Sequence, residues 1–418
     1  MQTYSSMTES TRITFLVGKA ETGDIAAQLT LANMYENGYG IARNMGLAAQ
    51  WYLQAAQKGS VQAQARIGVS YLKGRGIGQD FDQAFYWLRM AAGHKNPDAI
   101  AELGWCYQTG LGTTVDYSKA FQCYERAASL GHAGAQYNIA VLYTQGKDTN
   151  LSNALKYYKL AAAQGHEKAL VNLGLLYARE NSSHYNPVEA VEYFRKAARE
   201  GNARGKYNLG RMYAQGRAVP MDYSEAARWY ETAAEQGYPR AQYHLGLLYL
   251  YGKGVIQDNA LAFSWLLKAS MAGNIKASYQ LGKIYLKGLG VPVEEEEAFE
   301  YISRAAKQGL DRAQYRLGKL YLQGKGVGRD DAKALEWLRM AAVQNFTPAM
   351  LLIGLMYRKG LGVTRDLSLA YAWISAGAES DKGKSDVLLE SIRQKLSRAE
   401  IYEAEKLAMR YRTGLGKD

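Results

Sequence analysis

Cysteine is scarce: Cys106 and Cys123 are the only two in 418 residues. Two cysteines cannot form the disulfide framework of a small secreted domain, and no histidine cluster lies near them in sequence to suggest zinc. Proline is nearly as scarce, at six, and 48% of residues are apolar, which excludes a disordered proline-rich chain. No apolar run approaches the ~18 residues that a membrane-crossing helix needs. The opening stretch lacks a basic start and has only "ITFLV" as an apolar segment, too short for a secretory leader. The expectation is a cytoplasmic chain with no membrane contact.

Catalytic sets are missing as well. The five histidines, His94, His132, His166, His184 and His244, are dispersed, and there is no H-E-x-x-H. "SYLK" at 70–73 matches S-x-x-K, but no S-D-N or K-T-G accompanies it. The run Glu294–Glu297 reads as a solvated helix start, where negative charge is favourable. No catalytic residue, metal ligand or cofactor is assigned, and the chain is read as a non-enzyme.

Glycine and tyrosine are plentiful, at 43 and 33. "YLQGKGVGRD" at 321–330 has relatives beginning at Tyr35, Tyr71, Tyr107, Tyr249, Tyr285 and Tyr357. With Tyr143, Tyr177 and Tyr213, these tyrosines mark ten repeats spaced by 36 residues, with one step of 34 after Tyr143. A period in this range is the mark of a solenoid.

Each repeat reads as two helices. The first follows A-x-x-x-L-G-x-x-Y-x-x-G, as in "AQYRLGKLYLQG" at 313–324, with Ala, Leu and Tyr on one helical stripe. Mid-helix glycine costs ~1 kcal/mol against alanine, so Gly318 and its equivalents imply close approach of a neighbouring helix. The second helix follows A-x-x-W-x-x-x-A-A, as in "ALEWLRMAA" at 334–342. Six of the seven tryptophans share that register, which assigns them to the core. The G-x-G loop follows a helix, not a strand, and no Lys-Ser/Thr comes after it, which excludes a nucleotide loop. Its first glycine suits a left-handed helix cap and its second a chain reversal. Asp80, Asp258, Asp330 and Asp366 fall where they cap the next helix.

The pattern resembles the Sel1-like repeat family, relatives of the tetratricopeptide repeats. The residues that carry the likeness are the "AQYNIAVLYTQG"-type first helix, the "GKGVGRDDAKALEWLRMAA"-type loop and second helix, and the "AAEQGYPRAQ"-type link. The resemblance implies an all-α, right-handed α/α superhelical solenoid of about ten helix-pair repeats with terminal capping helices. The expected organisation is an N-terminal capping helix in 1–22, repeats over 23–380, and C-terminal capping helices in 381–418. Repeats 4 and 5 depart from the pattern over 144–190, which either bends the stack, offers a contact or is drift in a loop. Ser397 and Glu400 form a capping-box pattern, and Leu407, Tyr411 and Gly414 continue the first-helix register as a half-repeat seal.

Numbering the first helix with the register alanine as 1 puts positions 0, 3, 7 and 10 opposite the core stripe. By analogy with tetratricopeptide superhelices, these positions line a concave groove. In repeats 1–4 they give an apolar zone with Val69, Leu72, Trp105 and Val141. Trp105 either projects into the groove or refills the volume lost at Cys123. In repeats 6–9 they give a basic ladder, Arg204, Arg240, Lys276 and Arg312 at position 0 with Arg211, Lys283 and Lys319 at position 7. Tyr207, Tyr243, Tyr279 and Tyr315 interleave with it at position 3, either as scaffold or as rings offered to a ligand. The formal charge follows the same division: the basic excess is 3 over residues 1–201 and 9 over 202–418.

The resemblance implies protein–protein interaction without catalysis. The expected function is a bacterial scaffold or adaptor binding a partner protein or peptide in the groove, and an acidic segment suits the ladder. Toxin neutralisation and effector docking are specialised forms implied by the family alone. Nucleic-acid binding along the basic half is the alternative, disfavoured by only 22% charged residues with acids spread among them.

Overall fold

The computed structural model describes residues 9–145, 150–378 and 382–413. Among them are twenty-three helices and no strand, and the molecule is an all-α solenoid. Repeat by repeat, a first helix (A) and a second helix (B) alternate, as in 7A (Pro239–Tyr251) and 7B (Asn259–Met271). Two compact parts divide the chain, residues 1–200 and 201–418. The first holds repeats 1–5 and the second repeats 6–10.

The glycines act as joints in the way their spacing predicts. Gly252, Gly288 and Gly324 close helices 7A, 8A (Ile275–Lys287) and 9A (Asp311–Gln323) in the left-handed conformation, each returning its N–H to the last turn. The second loop glycine touches the preceding repeat. A Cβ on Gly326 would lie 2.0 Å from the carbonyl oxygen of Glu295, in the first turn of helix 8B (Glu295–Lys307). Asp258 and Asp330 then cap the next helices, accepting from the backbone N–H groups of Leu261 and Lys333 at 2.9 Å. Repeat 4 lacks this joint: helix 4A (Ala133–Thr144) ends on Gln145 in an extended conformation, and residues 146–149 lie outside the described residues.

Mid-helix glycine admits one large side chain from the B helix of its own repeat. A Cβ on Gly210 would meet the Tyr230 ring at 2.9 Å, and one on Gly318 would meet Leu338 at 2.8 Å. These partners, with Tyr124, Tyr158 and Phe194 in the N-terminal part, are the deeply buried residues. The tryptophan register one position earlier is shallower. Only Trp87 and Trp373 of its tryptophans are buried, and members such as Tyr301 stack at 5.7 Å on the register tyrosine, here Tyr285.

The N-terminal part opens with a helix at Glu9–Glu21, whose Leu16, Val17 and Ala20 pack on Ala27 and Leu31 of repeat 1. The C-terminal part ends in helices Lys382–Arg393 and Arg398–Arg412. Ser397 and Glu400 make the reciprocal capping box, and Tyr411 stacks on Trp373 with ring centroids 3.8 Å apart. Gly414 lies outside the described residues.

Candidate partner-binding face

In the N-terminal part, the polar groups near the apolar zone are taken up locally. Tyr52 donates to Glu36 at 2.7 Å, and Tyr124 donates to Gln108 at 2.9 Å. Burial, followed by the Glu36 carboxylate, pushes the Tyr52 phenol far above its ordinary range. Ion pairs join successive repeats, Arg66 to Glu36 at 3.9 Å and Lys73 to Glu102 at 3.4 Å. Val69 and Val141 are half-buried and Trp105 is 39% exposed. Leu72 is a correction: at 3% exposure it belongs to the core with Leu88 and Ile100. Its helix packs on the B helix of the preceding repeat as well as on its own, which covers Leu72.

In the C-terminal part, Tyr207 is the second correction. It is 5% exposed, wedged against Tyr230, Tyr238 and His244 with centroids 5.8, 5.2 and 5.7 Å away. Position 3 therefore points into the seam between repeats. Tyr243, Tyr279 and Tyr315 are half-buried in the same way, and burial raises each phenol above its usual range.

Three of these rings each hold one ladder cation. Arg211 lies over Tyr207 at 5.9 Å, Lys283 over Tyr279 at 5.7 Å and Lys319 over Tyr315 at 5.6 Å. Each pair is one helical turn apart, so the ring holds its cation at the surface. Arg204, Arg240, Lys276 and Arg312 are exposed on the same A helices. Among the described residues, none of these seven cations has a carboxylate within 4.0 Å. Burial, and then Lys287, Arg316 and Arg312, lower the affinity of Lys283 for its proton. The face is crowded with positive charge.

Repeat 7 breaks the pattern, with Leu247 at position 7. There a cleft of about 750 Å³ opens, lined by Arg240, Tyr243, His244, Leu247, Asn274 and Lys276 among others. Burial and then Arg211, Lys276 and Arg240 hold the His244 imidazole down at about 4, so it is neutral at pH 7. Sequence reasoning missed position 4, where His244, Gln280 and Arg316 stand in successive repeats. The signal was present: a polar residue beside the register leucine in repeats 6–9.

The Sel1 repeat model matches ten consecutive segments, from 25–60 to 347–382, with a 34-residue fourth segment at 133–166. The chain is a Sel1 repeat protein. It is similar to c5321, a protective antigen present in uropathogenic Escherichia coli strains and displaying an SLR fold. That match has 29% identity over 97% of this chain and 95% of that one, with a TM-score of 0.60. A Sel1 repeat protein from Oxalobacter formigenes is 32% identical over 58% of this chain and 96% of its own, with a TM-score of 0.53. Curated proteins gave no significant match. Sel1 repeat proteins generally mediate protein–protein interaction, and the scaffold is typically non-catalytic. No helix among the described residues of this Sel1 repeat protein is long and apolar enough to cross a membrane.

Proposed function

We propose that this Sel1 repeat protein is a non-catalytic adaptor that holds a partner protein, through an acidic segment, against the basic face of repeats 6–9. One observation carries the reading: three of the seven ladder cations lie over tyrosine rings, and among the described residues none of the seven has a carboxylate within 4.0 Å, whereas Arg66 and Lys73 of the N-terminal part do. Fixed, unneutralised cations are what an acidic partner completes. The tyrosines support a protein partner over nucleic acid. Base stacking needs free ring faces, and the Tyr207 ring is enclosed by its neighbours and by Arg211.

The test is affinity capture from source-cell lysate, read by mass spectrometry, with the wild type and a Lys283→Glu, Arg312→Glu, Lys319→Glu variant whose helical content is intact. The reading predicts a protein retained by the wild type and lost by the variant. Capture of the same protein by both contradicts it and turns attention to Trp105.

A further inference from the structure

The ladder is interrupted at repeat 7, and the cleft lies at the interruption. In repeats 6 and 9 the position-3 tyrosine is covered twice. Arg211 and Lys319 lie over the rings of Tyr207 and Tyr315. Tyr238 and Phe346, immediately before helices 7A and 10A (Thr347–Lys359), pack on the same two rings with centroids 5.2 and 5.3 Å away. Tyr243 of repeat 7 has neither of these covers. Position 7 there is Leu247, and among the described residues no cation lies over the Tyr243 ring. The residue equivalent to Tyr238 and Phe346 is Asn274, whose side chain is engaged elsewhere. It accepts from the Ala277 N–H at 3.1 Å and donates to the Pro239 carbonyl oxygen at 3.3 Å. Leu247 and Tyr243 are half-buried and line the cleft of about 750 Å³ with Ile275 and Leu310. Arg240 and Lys276 line it too and are exposed, in the first turns of helices 7A and 8A, where neither helix carries an acid. A cation in a first turn opposes the helix dipole, so the fold does not ask for these two charges.

Resting on the proposed function above, we infer that the partner's acidic segment carries one large apolar side chain that seats in this gap, on Leu247 and the Tyr243 ring. Carboxylates on either side of it meet Arg240 and Lys276. Removing the apolar surface of Leu247, Ile275, Leu310 and Tyr243 from water drives the seating. An aromatic anchor suits the gap best, because it brings a large apolar area at little entropy cost and stacks on or against a tyrosine ring. His244 is neutral at pH 7, so the cleft holds no imidazolium to be stripped of water beneath that side chain. Asp311, the acid that opens helix 9A, is taken up by the backbone N–H of Arg312 at 2.7 Å, which leaves the two cations to the ligand. Packed helices lie roughly 10 Å apart and an extended chain rises about 3.3 Å per residue, so the two carboxylates stand about three residues apart with the anchor between them.

The test pans a random dodecapeptide phage library on the full chain, then measures labelled synthetic copies of the enriched peptides by fluorescence anisotropy. The expected peptides carry Trp, Phe or Leu with Asp or Glu within about two residues on each side. Leu247→Lys then separates anchor from charge. It completes the ladder with the residue that repeats 8 and 9 hold at the same position, Lys283 and Lys319. A face that acts by charge alone binds these peptides more tightly after the change. The anchor instead loses its seat, and binding weakens about tenfold. Replacing the anchor by Ser in the peptide weakens wild-type binding to a similar extent and costs Leu247→Lys nothing further. That replacement leaves the protein untouched, so it decides alone should Leu247→Lys melt early. Arg240→Gln and Lys276→Gln each weaken binding and flatten its salt dependence. Equal or tighter binding by Leu247→Lys, or enriched peptides that are acidic but hold no apolar residue, removes the anchor and leaves the proposed function standing. A library that yields no acidic binder, or a dT20 oligonucleotide bound more tightly than any peptide, overturns both.

Discussion

The ammonium of Lys283 sits over the ring of Tyr279, 5.7 Å from its centroid and one helical turn along. The aromatic register that sequence reading offers to a ligand is thus already occupied by the protein's own cation. Its contribution to binding is to fix where that charge stands. Tyr279→Leu removes the platform and keeps the charge, and should weaken an acidic partner about two- to fivefold by titration calorimetry, the range of an exposed cation–π contact. Tyr279→Phe should bind as the wild type does.

Close helix contact sets the stability of each repeat. Alanine is the better helix former, yet Gly318→Ala would place a methyl 2.8 Å from Leu338 and 3.0 Å from the carbonyl oxygen of Ala334. Overpacking costs about 1–3 kcal/mol and outweighs the helix-propensity gain of ~1 kcal/mol. The variant should unfold at lower urea by circular dichroism. Gly18→Ala has nothing within 4 Å of the new Cβ and should unfold at higher urea, provided the urea transition reports the first helix.

Repeat 6 holds alanine where repeats 7 and 8 hold the second loop glycine. Ala218 has φ of 56°, in the left-handed region where Gly254 and Gly290 sit at 69° and 75°. A side chain there costs about 1–2 kcal/mol, part of which glycine gives back in unfolded-chain entropy. Ala218→Gly should therefore raise stability by up to about 1 kcal/mol, measured by urea titration.

The His244 imidazole, held at about 4 in the folded protein, titrates near ~6.5 in an unfolded chain. Between those values the unfolded state binds a proton that the folded state refuses, so acidification through this window lowers stability. From pH 7 to pH 5, the melting temperature of the wild type should fall further than that of His244→Gln. Equal falls would show that His244 does not titrate in the way its surroundings dictate.

The repeat period, the first loop glycine and the aspartate caps were legible in the sequence, because each depends on contacts within one repeat; the second loop glycine showed in the same spacing, but its contact with the preceding repeat did not. Gly318 announced a close neighbour, but the adjacent tryptophan register hid which residue it admits. That residue is Leu338, one position after Trp337. A single 100° projection treats an A helix as having one buried stripe. In the stack the helix also packs on neighbouring repeats, so Leu72 and Tyr207 are covered. The free arc narrows toward positions 0, 4 and 7, which is where His244, Gln280 and Arg316 emerge.

Hydrogen–deuterium exchange on the Sel1 repeat protein, with and without its captured partner, tests the central claim most directly. Protection confined to helices Ala203–Gln215, Pro239–Tyr251, Ile275–Lys287 and Asp311–Gln323 is the predicted result. Protection around Trp105 in the N-terminal part, with those four helices unchanged, would contradict it.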